Sequence, residues 1–374
     1  MSEASEIVGH FCTGDGWLSA RCRHDARVIE LLPEAVPDAG SWFLPAAVDL
    51  HVHGGGGHDA MEGEEAIRGM LAASAAGGTG ALLATSVTAP FADIDAFIDA
   101  AERVMAAPDI GSATLLGVHL EGPFVNPGKL GAQPPHAVPL DPGQLETWLA
   151  RPAVRVVTYA PELDPDNVVP MLADRHDVRV QIGHTLCRWA EARVALAAGA
   201  GTTHLWNAMS GASHRGGGAA VAALAYAEHA EIIMDGIHVE RAAFEAARRA
   251  VPLLCGITDA TAATGMADGH YRLGSLAVEK RGTRVVLSDG TLAGSCLTQR
   301  RALEVLREWD MDWADISRLT STSPARWIGA EGLGQIAVGA RAHWMELAPS
   351  PTDAALRPVA IWLDGRRHPF DEER

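Results

Sequence analysis

The 374-residue sequence predicts an α/β fold: a (β/α)₈ TIM barrel with a small β-sandwich domain formed by the N- and C-terminal segments. The first observation is that short apolar segments alternate with helical segments between residues 45 and 334. The second is that residues 1–44 and 335–374 contain short runs typical of strands, with turn residues between them. Neither end alone has enough strands to be stable, so we expect both ends to pair into one small β domain beside a barrel domain of residues 45–334.

The terminal strand-like runs are Trp17–Arg21, Arg27–Leu31, Gly334–Gly339 and Val359–Gly365. Within the barrel segment the candidate strands are 46–50, 79–87, 114–120, 154–160, 178–183, 201–204, 230–235 and 254–258. Helical periodicity is clearest over 91–105 and over 188–198, which Gly199 ends. Eight βα units in about 290 residues suit a (β/α)₈ barrel, whose catalytic groups lie at the carboxyl ends of its strands. A doubly wound open sheet is the alternative, but no G-x-G-x-x-G motif follows the first strand.

Charge and composition exclude several classes of partner. The net charge of −17 disfavours nucleic acid and anionic membranes, which would repel the protein. No apolar run approaches the ~18–20 residues of a membrane span. The five cysteines form no C-x-x-C pair, so neither a disulfide framework nor a thiolate zinc site is expected. Residues 1–6 are polar and lack the apolar region of a secretory signal, which predicts a cytoplasmic location.

The first barrel strand ends in two histidines with the spacing of a metal site. His51 and His53 alternate along the strand and share a face, and the glycines 54–57 behind them leave space beside that face. Polar residues likewise follow five later strands, namely Glu121, His184, His204, His238 and Asp259. A single residue of this kind is more often a helix cap or a turn residue than a ligand. Histidine or acidic residues recur at the same end of six strands, and this recurrence predicts a shared metal site.

Imidazole and carboxylate ligands suit one or two divalent transition-metal ions, with Zn²⁺ preferred and Fe²⁺, Mn²⁺ or Co²⁺ as alternatives. Such a site activates water and polarises a carbonyl oxygen. Asp259, after the last strand, is expected to be both a ligand and the general base that passes a proton from water to a leaving amine. This chemistry is amide hydrolysis.

Five sequence blocks carry a family resemblance: VHLEGPF at 118–124, THLWNAM at 203–209, MDGIH at 234–238, TDAT at 258–261 and GTLAGS at 290–295. Together with the paired histidines they resemble the amidohydrolase superfamily and, within it, the N-acetylglucosamine-6-phosphate deacetylase family. The resemblance covers nearly the whole chain. It implies removal of acetate from the 2-acetamido group of N-acetyl-D-glucosamine 6-phosphate. It also implies that Glu121, His184 and His204 hold the main ion, and that His51 and His53 complete a second site.

The resemblance implies a set of substrate-binding residues as well. Asn207 and Ala208, through the backbone, would bind the sugar phosphate together with Arg215 and His238. An arginine fork matches phosphate oxygens, and a protein of charge −17 needs a local cation to hold an anionic substrate. The resemblance further implies a homodimer.

Two departures from the family pattern bear on the substrate. Where relatives have a histidine in the loop after E-G-P, this chain has Gln133, which can donate a hydrogen bond but cannot carry a proton. Either this contact is weaker here, or His136 takes it over. Relatives often read R-E-P-G around Arg215, whereas here the three glycines 216–218 follow it and loosen the loop.

Three alternatives remain open on the sequence. One is deacetylation of a related amino sugar, either N-acetylgalactosamine 6-phosphate or an unphosphorylated sugar. Another is a non-catalytic sensor of sugar phosphates, although the chain keeps Asp259 and every expected ligand. The third is a hydrolase of cyclic amides, which usually bridges its metals with a carboxylated lysine, a place that Glu121 takes here.

Overall fold

The computed structural model describes residues 4–37, 40–350 and 355–371. Its central feature is a ring of parallel strands, numbered β1 to β8 in chain order. They are Ala47–Val52 (β1), Thr79–Thr85 (β2), Thr114–Glu121 (β3), Val154–Tyr159 (β4), Arg179–Ile182 (β5), Gly201–Thr202 (β6), His229–Ile233 (β7) and Leu253–Ile257 (β8). Each overlaps one of the eight strands predicted from the sequence.

The strands close into a barrel. β1 to β6 form one parallel sheet in chain order, and β7 pairs with β8. Backbone hydrogen bonds join the two sheets on both sides: Leu205 N donates to Glu231 O at 2.8 Å, and Asp259 N donates to His51 O at 3.1 Å. The predicted (β/α)₈ barrel is therefore confirmed.

Helices lie between and after the strands. They are Glu64–Ala76, Phe91–Ala106, Pro142–Leu149, Val168–Arg175, Trp189–Ala197, Ala219–Tyr226, Arg241–Ala250, Gln299–Glu308, Trp313–Ser317 and Ser323–Ile328. The two helices with the clearest periodicity agree with the prediction to within one residue at each end. In Phe91–Ala106 the residues Ile94, Phe97 and Ile98 are buried in the main core, which is the face that the i, i+3, i+4 spacing indicates.

Both chain ends contribute to one seven-stranded sheet, as predicted. Its strands are Ser5–Thr13, Gly16–His24, Val28–Pro33, Trp42–Pro45, Trp344–Pro349, Leu356–Leu363 and Arg366–Pro369. Trp42–Pro45 joins the ends, because it pairs with Ser5–Thr13 on one side and with Trp344–Pro349 on the other. The sheet curls so that Arg27 bridges Arg341, and Phe11 and Trp344 pack in the resulting core.

The predicted strand-like run Gly334–Gly339 lies outside the strands. Gly334 and Gly339 adopt φ values of 68° and 87°, so this segment turns where a strand would extend. The division into domains at residues 44/45 and 334/335 stays a prediction.

The prediction lacks a three-stranded antiparallel sheet after β8, formed by Gly269–Leu273, Leu276–Arg281 and Arg284–Val286. Its Leu273 reaches the mouth of the barrel, where it lines the cavity described below. Among the described residues, no helix combines the length and the apolar character that crossing a membrane requires.

Candidate metal centre and substrate cavity

Six side chains meet at the carboxyl ends of the barrel strands. They are His51 from β1, His53 directly after β1, Glu121 from β3, His184 after β5, His204 after β6 and Asp259 after β8. Each is at most 7% exposed. The structure thus brings together all six residues that the sequence predicts as metal ligands.

Glu121 lies at the centre of this group and divides it into two pairs. Its Oε1 is 3.0 Å from His184 Nε2 and 2.8 Å from His204 Nε2. Its Oε2 is 3.5 Å from His51 Nε2 and 3.4 Å from His53 Nε2. A carboxylate placed in this way can serve two neighbouring cation sites, one on each oxygen.

The hydrogen bonds on the far side of the rings determine which nitrogen faces the centre as an acceptor. His53 Nδ1 lies 3.1 Å from Thr85 O, and His184 Nδ1 lies 2.9 Å from Lys129 O. A carbonyl oxygen only accepts, so each Nδ1 carries a proton, and in the neutral ring Nε2 presents a lone pair.

Those lone pairs face further nitrogen atoms. The Nε2 atoms of His51 and His53 are 3.2 Å apart, and so are those of His184 and His204. The buried Nδ1 of His204 has no hydrogen-bond partner among the described residues. A cation between them would stabilise these converging imidazole nitrogens and carboxylate oxygens. The donor set therefore fits a divalent metal ion held by imidazole and carboxylate.

The electrostatics of the ion-free protein agree with this reading. Burial disfavours a charged His51, yet the carboxylates of Glu121 and Glu231 outweigh it and raise the pKa of His51 well above its ordinary value. Burial also opposes ionisation of Asp259, but His53 and His51 lower the pKa of that carboxyl below its ordinary value. Asp259 Oδ1 is 3.3 Å from His53 Nε2. The carboxylate is therefore ionised at neutral pH, as a general base must be.

Gln133 is held between the metal centre and the neighbouring backbone. Its Oε1 accepts a hydrogen bond from Thr88 N at 2.6 Å, which leaves its Nε2 to donate to Glu121 Oε2. The side chain is 7% exposed. Gln133 therefore fixes the orientation of the carboxylate that both histidine pairs share.

A cavity of about 240 Å³ opens directly above the cluster. Its walls include Gln133, Asn207, Ala208 and His238, four of the six predicted substrate-binding residues. His238 Nδ1 is 2.6 Å from Asp235 Oδ2, and this carboxylate outweighs the effect of burial and raises the pKa of His238. His238 can therefore present a positive charge to a ligand in the cavity.

The other two predicted residues lie elsewhere. His136 lines a separate cavity of about 480 Å³, together with Asp59, Asp93 and Arg272. Arg215 is exposed on its loop and is not among the residues that line the cavity above the cluster. The structure thus groups Gln133, and not His136, with the metal centre.

The backbone is strained where it delivers these side chains. Of nine described non-glycine residues with positive φ, four belong to the site, namely His184, His204, Ala208 and Asp259, and Trp206 lies in the same turn as His204 and Ala208. Such conformations cost of order 1–3 kcal/mol each and persist only where surrounding contacts impose them. The sharp turns after β5, β6 and β8 aim the side chains inward instead of letting the strands continue.

Sequence reasoning missed a layer of polar side chains directly below the centre. Glu231, Gln181, Thr158 and Thr203 are fully buried, and His119 joins them through a 2.7 Å contact between its Nε2 and Thr158 Oγ1. In the strand register Glu121 lies opposite Thr158, and Thr158 lies opposite Gln181. The available signal was a polar residue inside an apolar strand, as in the run from Ala230 to Met234.

Residues 42–353 match the Amidohydrolase family. The chain belongs to this family. It is 34% identical over 380 residues to an N-acetylgalactosamine-6-phosphate deacetylase from Escherichia coli O157:H7, which covers 96% of this chain and 97% of that protein. It is 36% identical over 314 residues to an N-acetylglucosamine-6-phosphate deacetylase from Bacillus subtilis (strain 168), with coverage of 80% and 79%.

Solved structures of N-acetylglucosamine-6-phosphate deacetylases have the same fold as this chain. The N-acetylglucosamine-6-phosphate deacetylase from Thermotoga maritima superimposes with a TM-score of 0.86 at 26% identity, covering 97% of this chain and 99% of that chain. The enzyme from Mycobacterium smegmatis, solved as a mutant in complex with N-acetyl-D-glucosamine-6-phosphate, gives a TM-score of 0.87 at 29% identity with the same coverage. The similarity therefore includes the barrel and the sheet that both chain ends form.

Proposed function

We propose that this amidohydrolase is a metal-dependent deacetylase that hydrolyses N-acetyl-D-glucosamine 6-phosphate to glucosamine 6-phosphate and acetate. The observation that carries the proposal is the convergence of four histidines and two carboxylates on one point at the mouth of the barrel. The chain is similar over most of its length to deacetylases of hexosamine 6-phosphates. The non-catalytic alternative is disfavoured, because Asp259 and every expected ligand are present and directed inward.

Two ion sites follow from the two oxygens of Glu121. His184 and His204 would hold one ion together with Oε1, and His51 and His53 would hold a second together with Oε2 and Asp259. Zn²⁺ suits this donor set, and Fe²⁺, Mn²⁺ and Co²⁺ are the alternatives. When bound, such an ion supplies Lewis acidity: it lowers the pKa of water and polarises a carbonyl oxygen.

The catalytic role falls to Asp259. Its ionised carboxylate takes a proton from the attacking water as the water oxygen bonds to the acetyl carbon. The C–N bond of the amide then breaks, and Asp259 delivers that proton to the departing amine. Its burial keeps bulk water away from the proton, and the histidines around it hold the carboxylate in place.

Substrate orientation falls to the cavity above the cluster. His238, with its raised pKa, offers positive charge to the phosphate, and Asn207 and Ala208 present the backbone of the turn after β6. Arg215 lies on an exposed loop near that turn, from which we expect it to reach the phosphate when substrate binds. The role of Arg215 rests on motif position.

The 4-epimer is the second candidate substrate. The relative that covers 96% of this chain is named for N-acetylgalactosamine 6-phosphate. The chain also departs from the family pattern at Gln133 and at the glycines 216–218. Gln133 lines the cavity above the cluster, and the glycines 216–218 follow Arg215 in the chain, so both epimers belong in the test.

The deciding experiment is acetate release from a panel of N-acetyl sugars. The panel contains the N-acetylglucosamine and N-acetylgalactosamine forms, each with and without the 6-phosphate, and the protein is stripped with a chelator and reloaded with one defined metal at a time. We expect kcat/KM to be highest for N-acetylglucosamine 6-phosphate. The control is Asp259→Asn, which keeps the shape of the side chain and should lose roughly 10²–10⁴-fold in kcat. Absence of acetate release from the whole panel by reloaded protein would overturn the proposal.

We propose a homodimer in the cytoplasm as the working form. The dimer follows from the family resemblance, and light scattering coupled to gel filtration tests it.

The location is supported by five free cysteines, four of them buried, which suit a reducing compartment. Cell fractionation with an antibody against the protein tests the location.

A further inference from the structure

Glu231 is a fully buried carboxylate that neither the family motifs nor the proposed reaction uses. It is the central residue of β7, and its side chain is 0% exposed. Its Oε2 lies 3.1 Å from His51 Nδ1 on β1, and its Oε1 accepts a hydrogen bond of 2.9 Å from Gln181 Nε2 on β5. Contacts with β1 and β5 place this side chain inside the barrel, below the cluster.

Neighbouring groups hold Glu231 in one orientation. Thr203 Oγ1 donates to Gln181 Oε1 at 2.7 Å, which obliges the Gln181 amide to present its N–H groups to Glu231. The Oε2 atom therefore remains for His51. The contact is on the ring side opposite to Nε2, the atom that faces Glu121 and His53.

The charge of Glu231 has few partners. Within residues 4–37, 40–350 and 355–371 its ion-pair partners are histidines, at 3.1 Å for His51 and 3.9 Å for His119. His119 is fully engaged elsewhere, because its Nδ1 bonds Leu50 O at 3.1 Å and its Nε2 bonds Thr158 Oγ1 at 2.7 Å. A buried anion without a cation is costly. A positive charge on the His51 ring, or on a metal ion bound to that ring, is therefore the one that can balance the charge of Glu231.

We propose that Glu231 is a positioning residue for the second metal ion. Its contact with His51 Nδ1 orients the His51 ring and makes His51 Nε2 a stronger electron-pair donor to that ion. The inference rests on the proposed metal centre and adds a residue outside the expected ligand set. Carboxylate–histidine–metal arrangements of this type fix the tautomer and make the ligand more basic. Among the described residues, no ion pair or hydrogen bond joins Glu231 to His184 or His204, which would hold the first ion, so binding of that ion should not depend on Glu231.

The test is metal binding by Glu231→Gln, which keeps the size of the side chain but removes the charge and replaces one of its two accepting oxygens, which face His51 Nδ1 and Gln181 Nε2, with an NH₂ donor. Metal-free protein is dialysed against a series of buffered free Zn²⁺ concentrations, and bound zinc per chain is counted by mass spectrometry. We expect the first ion to bind with unchanged affinity and the second to bind roughly 10–100-fold more weakly. The matched control is Glu346→Gln, which removes another buried carboxylate in the terminal sheet and should leave both affinities unchanged.

The outcomes separate this inference from the proposed function. If the variant binds the second ion as tightly as the wild type does, the role of Glu231 is overturned. Acetate release by the wild type would still support the deacetylase in that case. Equal weakening of both ions would also overturn the role of Glu231, since that indicates a general structural effect. If Glu231→Gln fails to fold, Gln181→Met is measured in its place. Loss of the Gln181 hydrogen bond frees the carboxylate to rotate, so a selective weakening of the second ion is again expected, and its absence would refute the role.

Discussion

Replacing His229 with phenylalanine should change how the free energy of unfolding depends on pH. His229 begins β7, is 2% exposed, and stacks on Trp327 with ring centroids 3.7 Å apart. Its Nδ1 donates to Leu253 O at 3.1 Å, and its Nε2 accepts from Gln181 Nε2 at 3.2 Å. Both ring nitrogens are thus satisfied by the neutral form, and a second ring proton would face the amide N–H of Gln181.

The size of the effect follows from the pKa. Burial lowers the pKa of His229 to about 4. In the unfolded chain the value is about 6.5, so below that pH the unfolded state binds a proton that the folded state does not. Folding stability therefore falls by ~1.4 kcal/mol per pH unit, or about 2 kcal/mol between pH 6.5 and pH 5. Above pH 6.5 both states are neutral and His229 adds no pH dependence.

Urea unfolding of metal-free protein between pH 8 and pH 5 measures this effect. At pH 8 we expect His229→Phe to be ~1–3 kcal/mol less stable than wild type, since the carbonyl of Leu253 and one N–H of Gln181 lose their partner. That difference should narrow by about 2 kcal/mol on going to pH 5, because the variant has lost the group that titrates. His119, whose pKa burial also lowers to about 4, is present in both proteins and cancels. A difference that stays constant with pH would refute the assignment of a buried neutral His229.

Two further predictions concern the metal centre. Changing His51 and His53 together to asparagine should lower the metal content by about one ion per chain, because His184 and His204 remain beside Glu121 Oε1. Mass spectrometry of reloaded protein counts the ions, and loss of all metal would contradict the two-site arrangement. Gln133→Leu should lower the free energy of unfolding by ~1–3 kcal/mol, because the buried Thr88 N–H loses its acceptor. Urea titration measures the change. An unaltered unfolding midpoint would mean that the hydrogen bond from Thr88 to Gln133 adds no stability.

The sequence predicts the cluster well because parallel strands converge at their carboxyl ends. His51, Glu121 and His204 are far apart in the chain, yet each follows or ends an apolar run, and barrel closure brings such positions together. No side-chain geometry was needed for that step. The same rule could not identify Glu231, because a mid-strand polar residue meets partners across the barrel, and those partners depend on strand register and tilt.

Loop residues were predictable only by motif. Arg215 and His136 belong to segments whose course is set by contacts absent from local periodicity, and neither reaches the cavity above the cluster. The sheet of residues 269–286 escaped prediction for a related reason. Its strands are short and half-exposed, so they lack the continuous apolar runs that mark the barrel strands.

The strained turns and the buried polar layer have one physical origin. A strand that continued past His184 or Asp259 would carry these side chains out of the barrel mouth, and the left-handed backbone at each position bends them back over it. That strain persists only if the layer beneath is rigid. Hydrogen bonds from Thr203, directly after β6, through Gln181 on β5 to Glu231 on β7 link these segments at that level and provide the rigidity. The layer therefore supports the metal centre twice: it holds the strand ends in place, and through Glu231 it places negative charge behind one of the ligands.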